Sequence, residues 1–261
     1  TYSYRLLMRA PGATELRPVH DGVFQTQRAP GSTFTFAVQG DSHPEREGRM
    51  YDPGLYAVTM ANVAANPPDF YVTLGDDFSI ERLIGNRSLT QPAVDQVYAL
   101  QRSYLGVIGR VASLFLVNGN HEQAARANLD GTPHNAAVLA GRARIRFFPL
   151  PAPDTFYSGN SEEVPHLGLP RDYYAWTWGD ALFVVLDFYW HTPTTGDNEP
   201  GGRQRAGGGK QSGGKQGGDR QRERGGKQEG ARQRDMWAIT LGEAQYRWLT
   251  QTLTNSAARW K

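Results

Sequence analysis

The sequence predicts a mixed α/β fold in which strands are joined by helical crossovers. Three observations carry that expectation. From Thr33 to Val117 the chain reads as strand, helix, strand, helix, strand, the order expected of a sheet with helical connections. Of 261 residues, 39% are apolar and 11% aromatic, enough for a core, while 30 Gly and 16 Pro argue against a helical bundle or coiled coil. No apolar run approaches the roughly 20 residues that a membrane span needs, since a stretch such as Ala181 to Phe188 is broken by Asp187.

Each element has its own signal. Tyr2, Tyr4, Leu6 and Met8 alternate with Ser3, Arg5 and Leu7, a strand that Pro11-Gly12 turns, and Val23 to Gln27 reads as a second strand closed by Ala29-Pro30-Gly31. Residues 1–30 thus look like the last strands of a β-sandwich or a hairpin of the main domain, which spans 31–261. Phe34, Phe36 and Val38 alternate with Thr35 and Ala37 over Thr33 to Gln39, a strand. Tyr51 to Ala65 has helical spacing, Phe70 to Leu74 is a short apolar strand, Ala93 to Val111 is helical, and Leu114 to Val117 is a strand again. Ala136 to Arg146 reads as a helix, and Tyr173 to Trp178 with Leu182 to Phe188 form a hairpin around Gly179-Asp180. The last helix opens on Thr240-Leu241-Gly242-Glu243, a capping box, with Leu241, Tyr246, Leu249 and Leu253 as its apolar face.

Charge is unevenly spread. Residues 196–235 hold ten Lys/Arg against six Asp/Glu, 13 of the glycines and six Gln, with Ala206 and Ala231 as the sole apolar side chains. Such a segment buries too little surface to offset its ordering entropy and is expected to be a disordered insertion. Its basic composition suits a polyanion, but it lacks the aromatic rings that stack on bases, which argues against a nucleic-acid partner. With no cysteine, disulfides, zinc-thiolate sites, thiol nucleophiles and iron-sulfur clusters are excluded together. Any metal must therefore sit on His, Asp, Glu or Asn.

The loops after the three strands carry such residues. Gln39 is followed by Gly40-Asp41-Ser42-His43, Leu74 by Gly75-Asp76-Asp77, and Asn118 by Gly119-Asn120-His121-Glu122. Ligands of open α/β sheets bind outside the carboxyl ends of the strands, so the three loops should converge. Asp41 and His43, two apart in an extended loop, point to one side and can chelate one ion; Asp76 can bridge two ions, and Asn120 offers an amide oxygen to the second. Carboxylate, amide and imidazole donors without sulfur suit Mn, Fe, Zn or Mg. Asp77 and Glu122 either orient those ligands or serve as ordinary turn and surface residues. His20, His134 and His166 lie in or beside strands and turns, and His191, after an apolar strand, is the one extra candidate ligand.

At these spacings DSH, GDD and GNHE resemble the first three signature blocks of the calcineurin-like metallophosphoesterases, and the resemblance runs from Thr33 to Lys261. The run Gly31 to Gly40, the LGDDFS stretch and the TLGEAQYRWL helix are similar to the bacterial branch related to alkaline phosphatase D and the purple acid phosphatases. The resemblance implies two packed mixed sheets flanked by helices, preceded by remnant strands of a fibronectin-III-like sandwich at residues 1–30. It implies a metal-dependent phosphatase or phosphodiesterase acting on small phosphoesters with two divalent or trivalent ions and a metal-bound hydroxide, in an extracytoplasmic bacterial setting. Asp41 and His43 would bind one ion, Asp76 bridge, Asn120 bind the other, and His121 face the substrate as the catalytic group.

Two departures stand beside it. The family's later histidines, one after a strand and two in a Gly-His-x-His block, have no counterpart, so the chain is expected to stop short of them and to hydrolyse phosphoesters poorly by itself. Ser79 occupies the position where purple acid phosphatases carry an iron-binding Tyr and protein phosphatases an Asp, against either assignment. Substrate walls are expected from Phe78, Tyr189 and Trp190. The alternative to an enzyme is a scaffold of the same fold without catalysis, or polyanion binding through the basic segment; the intact Asp41, His43, Asp76, Asn120 and His121 set argues against the scaffold.

Overall fold

The computed structural model describes residues 1–122, 130–188 and 241–261. The basic segment 196–235, together with Tyr189, Trp190, His191 and Thr240, lies outside the described residues.

The chain opens with β1 (Tyr2–Met8) and β2 (Arg17–Phe24), an antiparallel pair that forms a two-stranded sheet of its own. Here the sequence expectation of a strand at Val23 to Gln27 is corrected, because Pro18 and Asp21-Gly22 read as breakers. The register shifts between Leu6 and Leu7, where Pro18 comes opposite Leu7, so the proline falls at an irregularity that tolerates its missing N–H. The Tyr4 ring lies over Gly22, where a Cβ would come within 2.4 Å of the far end of the ring and oblige it to move.

The second sheet is parallel. Strands β3 (Phe36–Gln39), β4 (Phe70–Thr73) and β5 (Ser113–Leu116) lie in that order, with β4 in the middle. All four residues of β4 are buried, as a strand covered on both faces requires. Between β3 and β4 runs α1 (Pro53–Ala65), capped by Asp52, whose carboxylate accepts from the Leu55 N–H at 2.9 Å. Between β4 and β5 run a short α2 (Glu81–Gly85), absent from the sequence expectation, and α3 (Gln91–Gly109), capped by Thr90. Five buried residues of α3, Val94, Tyr98, Gln101, Leu105 and Ile108, recur at helical spacing along one stripe.

After β5 comes α4 (Ala136–Phe147), whose cap Asn135 accepts from the Ala137 N–H. The third sheet follows: β6 (Ser158–Gly159), β7 (Tyr174–Trp178) and β8 (Ala181–Val185), antiparallel throughout. Gly179, at φ 57°, takes the first turn position between β7 and β8, where a tight hairpin demands the left-handed region. The chain then closes with α5 (Gly242–Asn255).

Two cores stack these elements into layers. Tyr71, Leu116, Met60, Tyr98, Leu105 and Leu139 join the parallel sheet to its helices. Phe70, Val72, Phe115, Tyr174, Trp176 and Trp178 join the parallel sheet to the antiparallel one. Phe70 sits at the centre of the second core, its ring 4.9 Å from Phe183, 5.1 Å from Trp178 and 5.4 Å from Phe36. Helix α5 reaches the third sheet through Trp248, which packs on Tyr173 at 4.9 Å. Its expected apolar face is corrected: Tyr246 and Leu253 are exposed, and the buried residue is Gln245. Gln245 is there because its amide accepts from Asp187 N at 2.8 Å and donates to Asp187 O, ending β8. Leu241 is the N-cap of α5, with no side-chain bond, and Glu243 pairs with Arg247, while the expected capping box rests on Thr240, which lies outside the described residues.

Candidate metal centre

The three loops meet where the parallel strands end. Asp41 N donates to Gly75 O at 3.1 Å and His43 N to Asp76 O at 3.0 Å, which stitches the loop after β3 to the loop after β4. Asp41, His43 and Asp76 all adopt left-handed backbone, at φ 51°, 46° and 60°. Non-glycine residues there cost on the order of 1–3 kcal/mol each and persist where surrounding contacts fix them. The loop after β5 comes closer still. A Cβ on Gly75 would lie 2.1 Å from Gly119 N, and one on Gly119 would lie 2.2 Å from Asp76 Oδ1, so both positions exclude any side chain.

One carboxylate fastens that approach. Glu122 is fully buried; its Oε1 accepts from Asp77 N at 2.6 Å and Phe78 N at 3.1 Å, and its Oε2 accepts from Gly119 N at 2.7 Å. Burial pushes the Glu122 carboxyl up, against the pull of those backbone donors. Asp77 is buried as well. It accepts from Gln39 Nε2 at 2.8 Å and Ser42 Oγ at 2.5 Å, and burial followed by the nearby Glu122 charge raises its pKa to about 7. Gln39 in turn accepts from the Tyr56 and Tyr71 hydroxyls, and Gln101 donates to Ser42, so a buried polar network underlies the loops.

Above that network the donor atoms converge. His43, Asp76 and His121 each present one ligand atom, all within 4.8 Å of one another. Nε2 of His43 is 3.6 Å from Asp76 Oδ2 and 3.6 Å from Asp41 Oδ1, and Nε2 of His121 is 3.9 Å from Asp76 Oδ2. The two imidazoles stand edge to face at 4.9 Å. Asp76 Oδ1 accepts from His121 N at 3.1 Å, so the carboxylate is aimed by the backbone of the third loop. Asp41 keeps a largely exposed side chain at the rim, and Asn120 lies half-buried in the turn between Gly119 and His121. Two imidazoles and a carboxylate this close, with no hydrogen bond between the rings, fit a transition-metal ion.

Of the residues singled out in the sequence, the structure clusters His43, Asp76 and His121, and Asp77 and Glu122, offered there as their possible supports, lie buried beneath them. Gln39, Gln101 and Glu45, whose carboxylate holds His43, stand outside the motifs, and Ser42 stands inside DSH with no role assigned to it; only Gln101 left a signal, as a polar residue in the apolar stripe of α3. Asn118 and Asp187 were missed too, although Asn118 Nδ2 donates to Asp187 Oδ2 at 2.6 Å and ties β5 to the end of β8. Phe78 is corrected from substrate wall to core: it is buried and stacks on Tyr98 at 4.5 Å.

No protein-family model matches the sequence, and no curated protein matches it. Among solved structures the chain is similar to the purple acid phosphatase PPD1 from yellow lupin (Lupinus luteus) seeds, at 14% identity and a TM-score of 0.44, over 70% of this chain and 29% of that one. It is also similar to PhoD, at 21% identity and a TM-score of 0.45, over 74% of this chain and 38% of that one. The chain therefore spans well under half the length of either structure.

Proposed function

We propose that this chain belongs to a metal-dependent phosphoester hydrolase of the calcineurin-like metallophosphoesterase type. The observation that carries the reading is the convergence of His43, Asp76 and His121 at the carboxyl ends of three parallel strands, in loops whose spacing matches the DSH, GDD and GNHE blocks. In this reading Asp41 and His43 hold one ion, Asp76 is shared, and Asn120 holds the second. Ions of the Mn, Fe, Zn or Mg kind would supply positive charge to phosphoryl oxygens and lower the pKa of water.

The chain's own residues do the rest. Asp76, fixed through Oδ1 by the His121 N–H, keeps Oδ2 turned toward both imidazoles. His121 is mostly buried beside that carboxylate, which positions its ring to give a proton to the departing oxygen of a small phosphoester. Glu122 and Asp77 hold the loops so that these groups need not reorganise on substrate binding.

Metal content by elemental analysis tests the reading. About two ions per chain are expected in the full-length protein, and Asp76→Asn should remove most of them because this carboxylate faces both imidazoles. Hydrolysis of nitrophenyl phosphate should depend on the same ions. Full metal content in Asp76→Asn, or turnover that survives exhaustive chelation, would overturn it.

A further inference from the structure

Glu45 has no place in the motif, yet it makes the closest side-chain contact to a candidate ligand. His43 is left-handed at φ 46° and ψ 58°, and Pro44 follows as the first residue of a short 3-10 turn, Pro44–Arg46. The turn is closed by Arg46 N donating to His43 O at 2.9 Å. This reversal folds Glu45 back over the ring, where its Oε1 lies 2.8 Å from His43 Nδ1. The opposite ring nitrogen, Nε2, faces two further carboxylates, Asp41 and Asp76, each at 3.6 Å.

A neutral imidazole carries one proton, and only the nitrogen without it can ligate a metal. The carboxylates beside Nε2 would draw the proton to that nitrogen and block ligation. A carboxylate in hydrogen-bond contact with Nδ1 draws it the other way. We propose that Glu45 is a positioning residue that keeps the proton of His43 on Nδ1, leaving Nε2 free to bind metal. The proposal rests on the metal-site reading above. Glu45 is suited to the role because its second oxygen, Oε2, is buried with no partner among the described residues, so the carboxylate has little else to bond. Arg46 Nε, at 3.5 Å from Oε1, is its other charged neighbour.

The test uses imidazole nitrogen shifts of the metal-free protein, recorded above the usual histidine titration range, together with Zn²⁺ affinity by calorimetry. Wild-type His43 should show a protonated Nδ1. In Glu45→Ala the proton should redistribute toward Nε2, and Zn²⁺ affinity should fall by about 10- to 100-fold, the usual effect of removing a partner behind a ligating histidine. Glu45→Gln, which keeps an acceptor oxygen, should restore much of both. Glu47→Ala removes the same charge from an exposed neighbour and should change neither. A wild-type tautomer in Glu45→Ala, or an equal effect from Glu47→Ala, overturns the proposal. If the wild-type chain binds no Zn²⁺, the metal-site reading fails, while the tautomer comparison still decides the role of Glu45.

Discussion

Replacing Gly119 with alanine should weaken metal binding without unfolding the chain. A Cβ there meets Asp76 Oδ1 at 2.2 Å and Asp76 N at 2.7 Å, whereas ordinary contact begins near 3.4 Å, so the loops after β4 and β5 must part by about 1.2 Å. Gly119 is not among the residues with left-handed backbone, which leaves the overlap as the whole perturbation. Forced overpacking of this kind costs about 1–3 kcal/mol. The three hydrogen bonds that Glu122 accepts oppose the separation, so Asp76 must absorb part of it by turning its carboxylate. A misplacement on the order of 1 Å costs up to about 10²-fold in function, and disturbed ligand orientation costs about 10- to 100-fold in metal affinity. Calorimetric titration with Zn²⁺ and urea unfolding, run on the same samples, separate the two losses. Gly106→Ala is the control, since that glycine lies within α3 with open space around it, and alanine there should stabilise by about 0.5–1 kcal/mol. Wild-type Zn²⁺ affinity in Gly119→Ala would show that the loops have room to spare and that the close approach does not set the position of Asp76.

Three further outcomes are expected. Phe70→Ala, at a fully buried ring surrounded by other aromatics, should cost about 3–5 kcal/mol in urea unfolding, and a loss under about 1 kcal/mol would show that the two sheets repack freely. Asp77 titrates near 7 because burial favours its protonated form, so its contribution to stability is complete below the ordinary carboxylate range and is lost as pH rises through about 7. Metal-free protein should accordingly lose up to about 4 kcal/mol between pH 4 and 7 relative to Asp77→Asn, at about 1.36 kcal/mol per unit, and parallel pH profiles of the two would refute this. His121→Ala in the full-length protein should keep its metal and slow alkyl phosphoester hydrolysis by about 10²- to 10⁴-fold, with a smaller loss for nitrophenyl esters whose leaving group needs no proton. Loss of metal instead would make His121 a ligand, a role that its place among the clustered donors also permits.

What the sequence made legible was local. Alternation at Phe34, Phe36 and Val38, the short run at Phe70, and the glycine-led polar clusters after each strand were visible because strand period and turn chemistry are properties of neighbouring residues. The same locality explains the misses. β2 was displaced because Pro18 reads as a breaker, whereas an irregularity in β2 itself, with Val19 left unpaired between Pro18 and His20, accommodates it. The inner face of α5 was misjudged because the residue worth burying was Gln245, whose partners on Asp187 lie far away in sequence. Ser42, given no role within DSH, is a relay between Asp77 and Gln101 because α3 crosses beneath the loop. Asp77 and Glu122, left open between ligand support and surface roles, turned out buried and bonded to the loops themselves.

Glu122 gives two separate stretches of chain a shared inheritance. Its oxygens answer to the backbone of Asp77 and Phe78 on one side and of Gly119 on the other. A recombination breakpoint that falls between residues 78 and 119 therefore parts Asp76 from the carboxylate that holds its loop. Anyone transplanting this pocket into another scaffold would have to move the strut with the ligands, because residues 75–78 alone carry the Asp76 carboxylate but nothing that holds their backbone in place.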